Sequence, residues 1–354
     1  MQPKATAHYS VPFVPQQLVD ENGRVAQGIF PASVPRINGR STDYRTAMGR
    51  QASRMARHFH YKQFQYFGIV SDQLLAGCAL ANTAWLGIAF FYIFEPHSGR
   101  LEEYTWRSPL ARSLSLSDSP VQGKSRFRQG KVDIAMGYHR TAEGLLEKQL
   151  QLTLPGTRLN ATLREQPSYM PMSLCTRTGI NGWVYANKVA GVPVTGTLER
   201  ADGTISLNEA GACGHHDFSA GYMRRQTYWN WACLSAYTGD GTLVGINLSC
   251  GVNETSFTEN CIWVNGELYK VDTVAFEYDQ DNLLSTWRIS SYDGQVSLRF
   301  TADGRHREHM NLGLFASRFT QLFGRFEGSL ALSGGRTLEI DNLHGFVEEQ
   351  YAKW

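Results

Sequence analysis

From residue 61 to the end, the chain repeatedly alternates apolar and polar positions with a period of two, the spacing of a half-buried β-strand. Gln149-Leu150-Gln151-Leu152-Thr153-Leu154 alternates strictly, as does Thr157-Arg158-Leu159-Asn160-Ala161-Thr162-Leu163-Arg164, with Pro155-Gly156 between them. That pattern predicts a hairpin with one buried and one wet face. Val296 to Phe300 alternates in the same way. Turn dipeptides punctuate the second half at Asp202-Gly203, Asp240-Gly241, Asn265-Gly266, Asp293-Gly294, Asp303-Gly304 and Gly334-Gly335. Helical spacing is confined to 41–60, inside an otherwise irregular stretch with scattered prolines and glycines.

Leu74 to Phe94 is apolar enough and long enough to span a bilayer as a helix. Asn82-Thr83 interrupts its middle, turn residues flank it, and no Lys or Arg lies within it. Two paired strands buried on both faces fit this pattern better. So many strands in about 290 residues exceed one barrel. The expected fold class is therefore all-β, with two consecutive antiparallel β-barrels or sandwiches. The expected segments are a partly helical N-terminal arm over 1–60, a first barrel over 61–201 and a second over 202–354. The boundary is placed at Asp202-Gly203, give or take fifteen residues.

Composition narrows the function classes. The 354 residues carry 34 Lys+Arg against 32 Asp+Glu, a net charge of +2, with no long run of one sign. That is no footprint for nucleic acid. Aromatic residues reach 12%. Cys78, Cys175, Cys213, Cys233, Cys250 and Cys261 form no Cys-x-x-Cys pair, and the first residues hold no apolar signal core. Reduced, buried thiols and a cytoplasmic location are expected, with the sequons at Asn160, Asn247 and Asn253 unused. Contact with a membrane surface stays open; a transmembrane segment is not expected.

Common motifs are missing. The chain contains no Gly-x-Ser-x-Gly, Gly-x-Gly-x-x-Gly or His-Glu-x-x-His, and Gly123-Lys124-Ser125 lacks the first glycine of a phosphate-binding loop. His215-His216-Asp217 and His58-x-His60 fall short of the three or four converging ligands of a zinc site. His306-Arg307-Glu308-His309, just after Asp303-Gly304, reads as a solvated turn. Neither a metal nor an organic cofactor is expected. Arg40, Arg45, Arg50, Arg54 and Arg57 read as one solvated face of the arm, with an anion site as the alternative.

The densest polar and aromatic region is 213–263. In the strand Tyr228–Tyr237, Trp229, Trp231, Cys233, Ser235 and Tyr237 share one face, and Tyr228, Asn230, Ala232, Leu234 and Ala236 the other. Both faces are bulky, so both are covered. In the next strand Ile246, Leu248, Cys250 and Val252 oppose Asn247, Ser249, Gly251 and Asn253. Asp217, Glu259, His216 and Arg224 are the candidate catalytic residues. An interior Arg224 would pair with Asp217 or Glu259, which by spacing alone reads more simply as a strut closing the barrel end; the alternative is catalytic, because a carboxyl in an aromatic cavity has its pKa raised by desolvation, which suits a general acid. Trp229, Trp231, Tyr228, Asn247, Asn253, Asn260 and Trp263 are the candidate substrate-binding residues. Phe319 to Gly328 reads as a hairpin around Gly324. Glu348 or Glu349 could point into the barrel, although 341–354 reads more simply as a surface tail anchored by Trp354.

These stretches carry a resemblance. Asp217 with Gly221, Arg224-Arg225 to Trp229-x-Trp231-Ala232, Gly245-x-Asn247-Leu248 and Gly251-x-Asn253 match an uncharacterised bacterial family, the domain of unknown function numbered 2804. The match continues through Glu259-Asn260-x-x-Trp263, Asn265-Gly266, Trp287-x-Ile289, Asp293-Gly294, the run from Ser317 to Gly328, and Gly345 to Trp354. At fold level that family is similar to two-domain, lipocalin-like carotenoid hydratases of the hydroxyneurosporene synthase type and to related cyclases and Diels–Alderases. The resemblance implies two lipocalin-like barrels and a hydrophobic small molecule or lipid as partner, and it assigns no catalytic residue. The expected function is cofactor-independent hydration, isomerisation or cyclisation of an apolar molecule by acid catalysis. Non-catalytic lipid or pigment binding, and carbohydrate processing on tryptophan platforms, are the alternatives.

Overall fold

A computed structural model of the protein describes residues 13–251, 257–311, 313 and 315–354. Among these, antiparallel strands form two sheets, one of fourteen strands and one of nine. The predicted hairpins are present. Leu146–Leu154 pairs with Thr157–Glu165 around Pro155-Gly156, with Thr157 opposite Leu154. Leu75–Asn82 pairs with Leu86–Glu95, with Asn82 opposite Gly87. The interrupted apolar run is thus two strands, and Asn82 closes their turn by accepting a hydrogen bond from the Ala84 amide (2.8 Å). Among the described residues no helix is long and apolar enough to cross a membrane.

The first sheet runs from Arg100–Pro109 to Leu114–Ser115 and curls until Trp106 and Phe127 bring its two ends within ring contact (6.3 Å). Its inner face holds one apolar cluster, including Phe67, Phe91, Phe127, Leu152 and Val194. The eighteen-residue strand Trp183–Arg200 carries the sheet round the bend. Its first half pairs with Cys213–Tyr222 and its second half with Thr157–Glu165. The second sheet encloses its own cluster around Trp287, Phe300 and Phe326. The arm covers Tyr61, Trp183, Tyr185 and Tyr222 with Leu18, Phe30, Val34 and Ile37. The one α-helix among the described residues is short, Arg54–His60.

Several expectations change here. Asp202-Gly203 is a hairpin turn inside the first sheet, because Gly203–Ser206 folds back on Arg200. Cys213–Tyr222 also belongs to that sheet, between Tyr61–Val70 and Trp183–Arg200. The chain crosses to the second sheet between Tyr222 and Gln226. Asp303-Gly304 is a bulge within the strand Val296–Asn311, and Gly304 leaves space for the Phe94 ring of the other sheet. Ala316–Ala331 runs straight through Gly324, so no hairpin forms there. The expected surface tail is the strand Thr337–Lys353, hydrogen-bonded on both sides.

A third cluster joins the two sheets, with Tyr66, Phe94, Met172, Trp231, Trp263 and Phe323 among its members. The backbones come closest at Gly245, where a Cβ would collide with the Ala190 carbonyl and the Gly191 amide. Ser235 fastens this contact, accepting from Gly191 N (2.9 Å) and donating to Gly214 O (3.0 Å). Gly245→Ala should therefore destabilise the protein by about 1–3 kcal/mol, the usual cost of overpacking. Urea unfolding reads this directly, and an unchanged midpoint would show that the contact is loose.

Candidate functional site

The β-ladders set up two rows of three side chains that face each other across the join. In the first sheet Lys188, Asp217 and Tyr66 stand opposite one another on adjacent strands. In the second, Trp231, Glu348 and Gln321 do the same. Period-two alternation turns all six toward the gap between the barrels. There they border a cavity of about 390 Å³, with Glu259 and Trp229 also on its wall. Its remaining wall is largely apolar, with Phe64, Ile88, Phe90 and Phe319 inside and Trp85 and Phe315 further out.

Lys188 is buried and hydrogen-bonds Asp217, and its Nζ lies 3.5 Å from Glu259 Oε1. Burial alone would lower the ammonium's pKa, but the two carboxylates outweigh it and hold it above its ordinary value. Asp217 also accepts from Ser219 Oγ (2.9 Å). Burial pushes the Asp217 carboxyl upward, with Lys188 restraining the rise.

Glu348 accepts from Trp229 Nε1 at one oxygen (2.8 Å) and from Gln321 Nε2 at the other (3.1 Å). Tyr92 donates to the Gln321 carbonyl oxygen and meets the Tyr66 hydroxyl at 2.6 Å. That contact sets the amide so that its NH₂ faces Glu348. Despite two donors, burial dominates and raises Glu348 to about 7, with Lys188 opposing and Asp217 reinforcing the shift. The cavity thus holds a carboxyl that changes charge near neutral pH.

A model of the domain of unknown function DUF2804 matches residues 12–354. The chain belongs to this family. No curated protein matches it in sequence. Among solved structures, CghA crystallised with Sch210972 has a TM-score of 0.55 at 10% identity, covering 96% of this chain and 97% of that one. Kievitone hydratase from Nectria haematococca has a TM-score of 0.48 at 10% identity, covering 82% of this chain and 88% of that one. At such identities the likeness to CghA is one of fold alone, and it extends over both barrels. The chain has a two-domain, all-β, lipocalin-like fold.

The structure gathers Asp217, Glu259, Trp229 and Trp231 at the cavity and places the other predicted residues that it describes elsewhere. His216 alternates to the opposite face and lies inside the first barrel, 3.1 Å from the Tyr138 hydroxyl. Arg224 is exposed, and its Nε donates to Thr178 O (3.3 Å); Lys188 takes the carboxylate-pairing role expected of it. Tyr228 lies on the other side of its strand from Trp229 and meets the Tyr278 hydroxyl (2.8 Å). Asn247 supports the wall from behind, accepting from Trp231 Nε1 (2.9 Å) and donating to Glu259 O (3.0 Å). Asn260 ties the Ser249 amide to the Asp272 carbonyl. Trp263 is fully buried between the barrels and donates to Met170 O (2.7 Å). Asn253 lies outside the described residues.

His306 is also buried rather than solvated. It contacts Glu103 Oε2 (2.7 Å) and packs beside Tyr92 and Phe319. Among the described residues no three His, Cys, Asp or Glu side chains are placed to hold a metal ion. Sequence reasoning missed Lys188, Gln321, Tyr66 and Tyr92. Lys188 alone carried a signal, as the one charge in the apolar run from Trp183 to Val194.

Proposed function

We propose that this protein is a cofactor-independent enzyme that uses acid–base catalysis on a hydrophobic small molecule in the inter-barrel cavity. The observation that carries this reading is Glu348. It is a buried carboxyl with a pKa raised to about 7, set in an apolar cavity beside two tryptophans. A general acid works best with its pKa near the working pH. Asp217 and Glu259 are engaged with Lys188, so they suit charge stabilisation more than proton delivery.

In the proposed step, protonated Glu348 gives its proton to one carbon of a substrate alkene. The C=C π pair forms the new C–H bond, and the other carbon becomes cationic. The faces of Trp229 and Trp231 and the Asp217 carboxylate stabilise that charge. Water then adds and returns its proton to Glu348, which gives hydration. Loss of a neighbouring C–H proton to Glu348 gives isomerisation; attack by a second alkene forms the ring C–C bond and moves the charge onto that alkene, and loss of a C–H proton from the new cation to Glu348 completes cyclisation. CghA, a protein of the same fold, has been crystallised with Sch210972, which supports ligand binding by this architecture.

Native mass spectrometry of the purified protein, followed by turnover assays on a panel of apolar alkenes and prenylated compounds, tests the reading. Turnover of a panel member that falls about tenfold or more in Asp217→Asn or Glu259→Gln supports it. An intact co-purified lipid, with no turnover of any compound, would replace it with carriage.

A further inference from the structure

The lip of the cavity carries a feature that this chemistry leaves unused. Met55, Trp85 and Leu110 are 68%, 41% and 48% exposed. Single exposed apolar residues need no explanation, but these are joined. Phe59 stacks on Trp85 (3.8 Å between centroids), and Trp85 meets Phe315 (5.6 Å). The Leu110 amide donates to Trp85 O (2.8 Å). Met55 and Phe59 are four residues apart on the helix Arg54–His60 and so share a face. Lys62 Nζ donates to both Phe59 O and Thr83 O (2.6 Å each), which binds the helix to the Trp85 turn. Trp85 and Phe315 also line the cavity, so the patch is its rim.

The same segment is basic. From Tyr44 to Ser71 the sequence contains Arg45, Arg50, Arg54, Arg57 and Lys62 and no Asp or Glu. Arg50 and Arg54 are exposed, and Arg40 reaches the helix at His58 (3.4 Å). Tryptophan beside apolar side chains, with a basic segment next to them, is the composition of a surface that lies in a lipid interface.

We propose that this lip docks on a bilayer containing anionic phospholipid. Trp85 and Met55 would enter the boundary between headgroups and acyl chains, with Arg54, next to Met55 on the exposed side of the helix, against lipid phosphates. The cavity mouth would then open onto the acyl layer, and an apolar substrate would enter without crossing water. The purpose of the docking rests on the function proposed above, but the docking itself is measured without any substrate.

Co-sedimentation of the full-length protein with vesicles is the test, using phosphatidylcholine alone and phosphatidylcholine with phosphatidylglycerol. The protein should pellet with the anionic vesicles and stay in solution with the neutral ones, and high salt should release it. Each arginine removed should weaken partitioning by about fivefold, so Arg54→Glu, which also reverses the charge, should weaken it by more. Trp85→Ser should also weaken it. Met55→Ser, at a more exposed position, keeps the test open where the tryptophan variant does not fold. Absence of pelleting with anionic vesicles, or equal pelleting with neutral ones, would overturn the proposal. So would binding that heparin removes but Met55→Ser and Trp85→Ser leave intact, since that marks a general polyanion site. Failure here together with turnover of detergent-dispersed substrate would leave the catalytic reading standing.

Discussion

Replacing Glu348 with glutamine is expected to lower turnover by about 10²–10⁴-fold, the usual contribution of a positioned general acid. The same variant should change how stability depends on pH. Burial raises the folded-state pKa of Glu348 from 4.5 to about 7. Its neutral form is therefore the favoured one in the fold. The contribution of this group is complete below about pH 4.5 and is lost as pH rises through about 7. At pH 8 the buried carboxylate costs on the order of 3 kcal/mol, at 1.36 kcal/mol per pKa unit. Glutamine cannot ionise, so its advantage over wild type should grow between those limits.

The buried histidines act in the opposite sense. Burial, and then Lys188, lower His215 to about 3, and burial also holds His216 well below its ordinary value. Their contribution is present above about pH 6.5 and fades as pH falls. Both proteins share that slope, so subtracting one urea-unfolding curve from the other across pH 4–9 isolates Glu348. A flat difference would show that Glu348 does not titrate near neutrality, and the proposed acid would fail with it.

Lys188→Met should have the largest effect on stability. Removing one partner of a buried ion pair typically costs about 3–5 kcal/mol, because the remaining charge stays buried without its counter-charge. Here two carboxylates, Asp217 and Glu259, depend on the same ammonium. The deficit should be greatest at and above neutral pH and shrink as pH falls, as the Asp217 carboxyl, which burial already pushes upward, takes up a proton. Glu348 also loses a cation that lowers its pKa, so its titration should move above 7. Trp229 donates to that carboxyl and reports the shift by fluorescence. Adding Asp217→Asn to Lys188→Met should recover part of the lost stability. No recovery would show that the ion pair is not the source.

Local features were legible where one strand decides them. The alternation that put Trp229 and Trp231 on one face and Ala232 and Leu234 on the other is seen in the fold, with the first pair at the cavity and the second in the barrel core. The interrupted apolar run became two strands because Asn82 can close a turn with its own side chain. Reading failed where a local signal has two tertiary outcomes. Asp303-Gly304 is as good a bulge as a turn, and the partner strand, together with the Phe94 ring packed against Gly304, selects the bulge. The glutamates of 341–354 resemble a solvated tail until strands pair on both sides of it and bury Glu348 and Glu349.

By itself the sequence determined the class of fold, the two-faced strands, the hairpins joined by tight turns, and the membership of Asp217, Glu259, Trp229 and Trp231 in one polar and aromatic region. Those follow from the period-two geometry of the extended backbone, which acts over neighbouring residues. Only the tertiary structure decided the site. Lys188 meets Asp217 because Trp183–Arg200 and Cys213–Tyr222 pair in that register. Glu348 lies between Trp231 and Gln321 because the last strand closes the middle of the second sheet. The two rows make one cavity because the barrels pack closely at Gly245. Such pairings depend on how apolar faces from distant segments bury one another, and that burial, not the residues next in the chain, moves Glu348 to a pKa near 7.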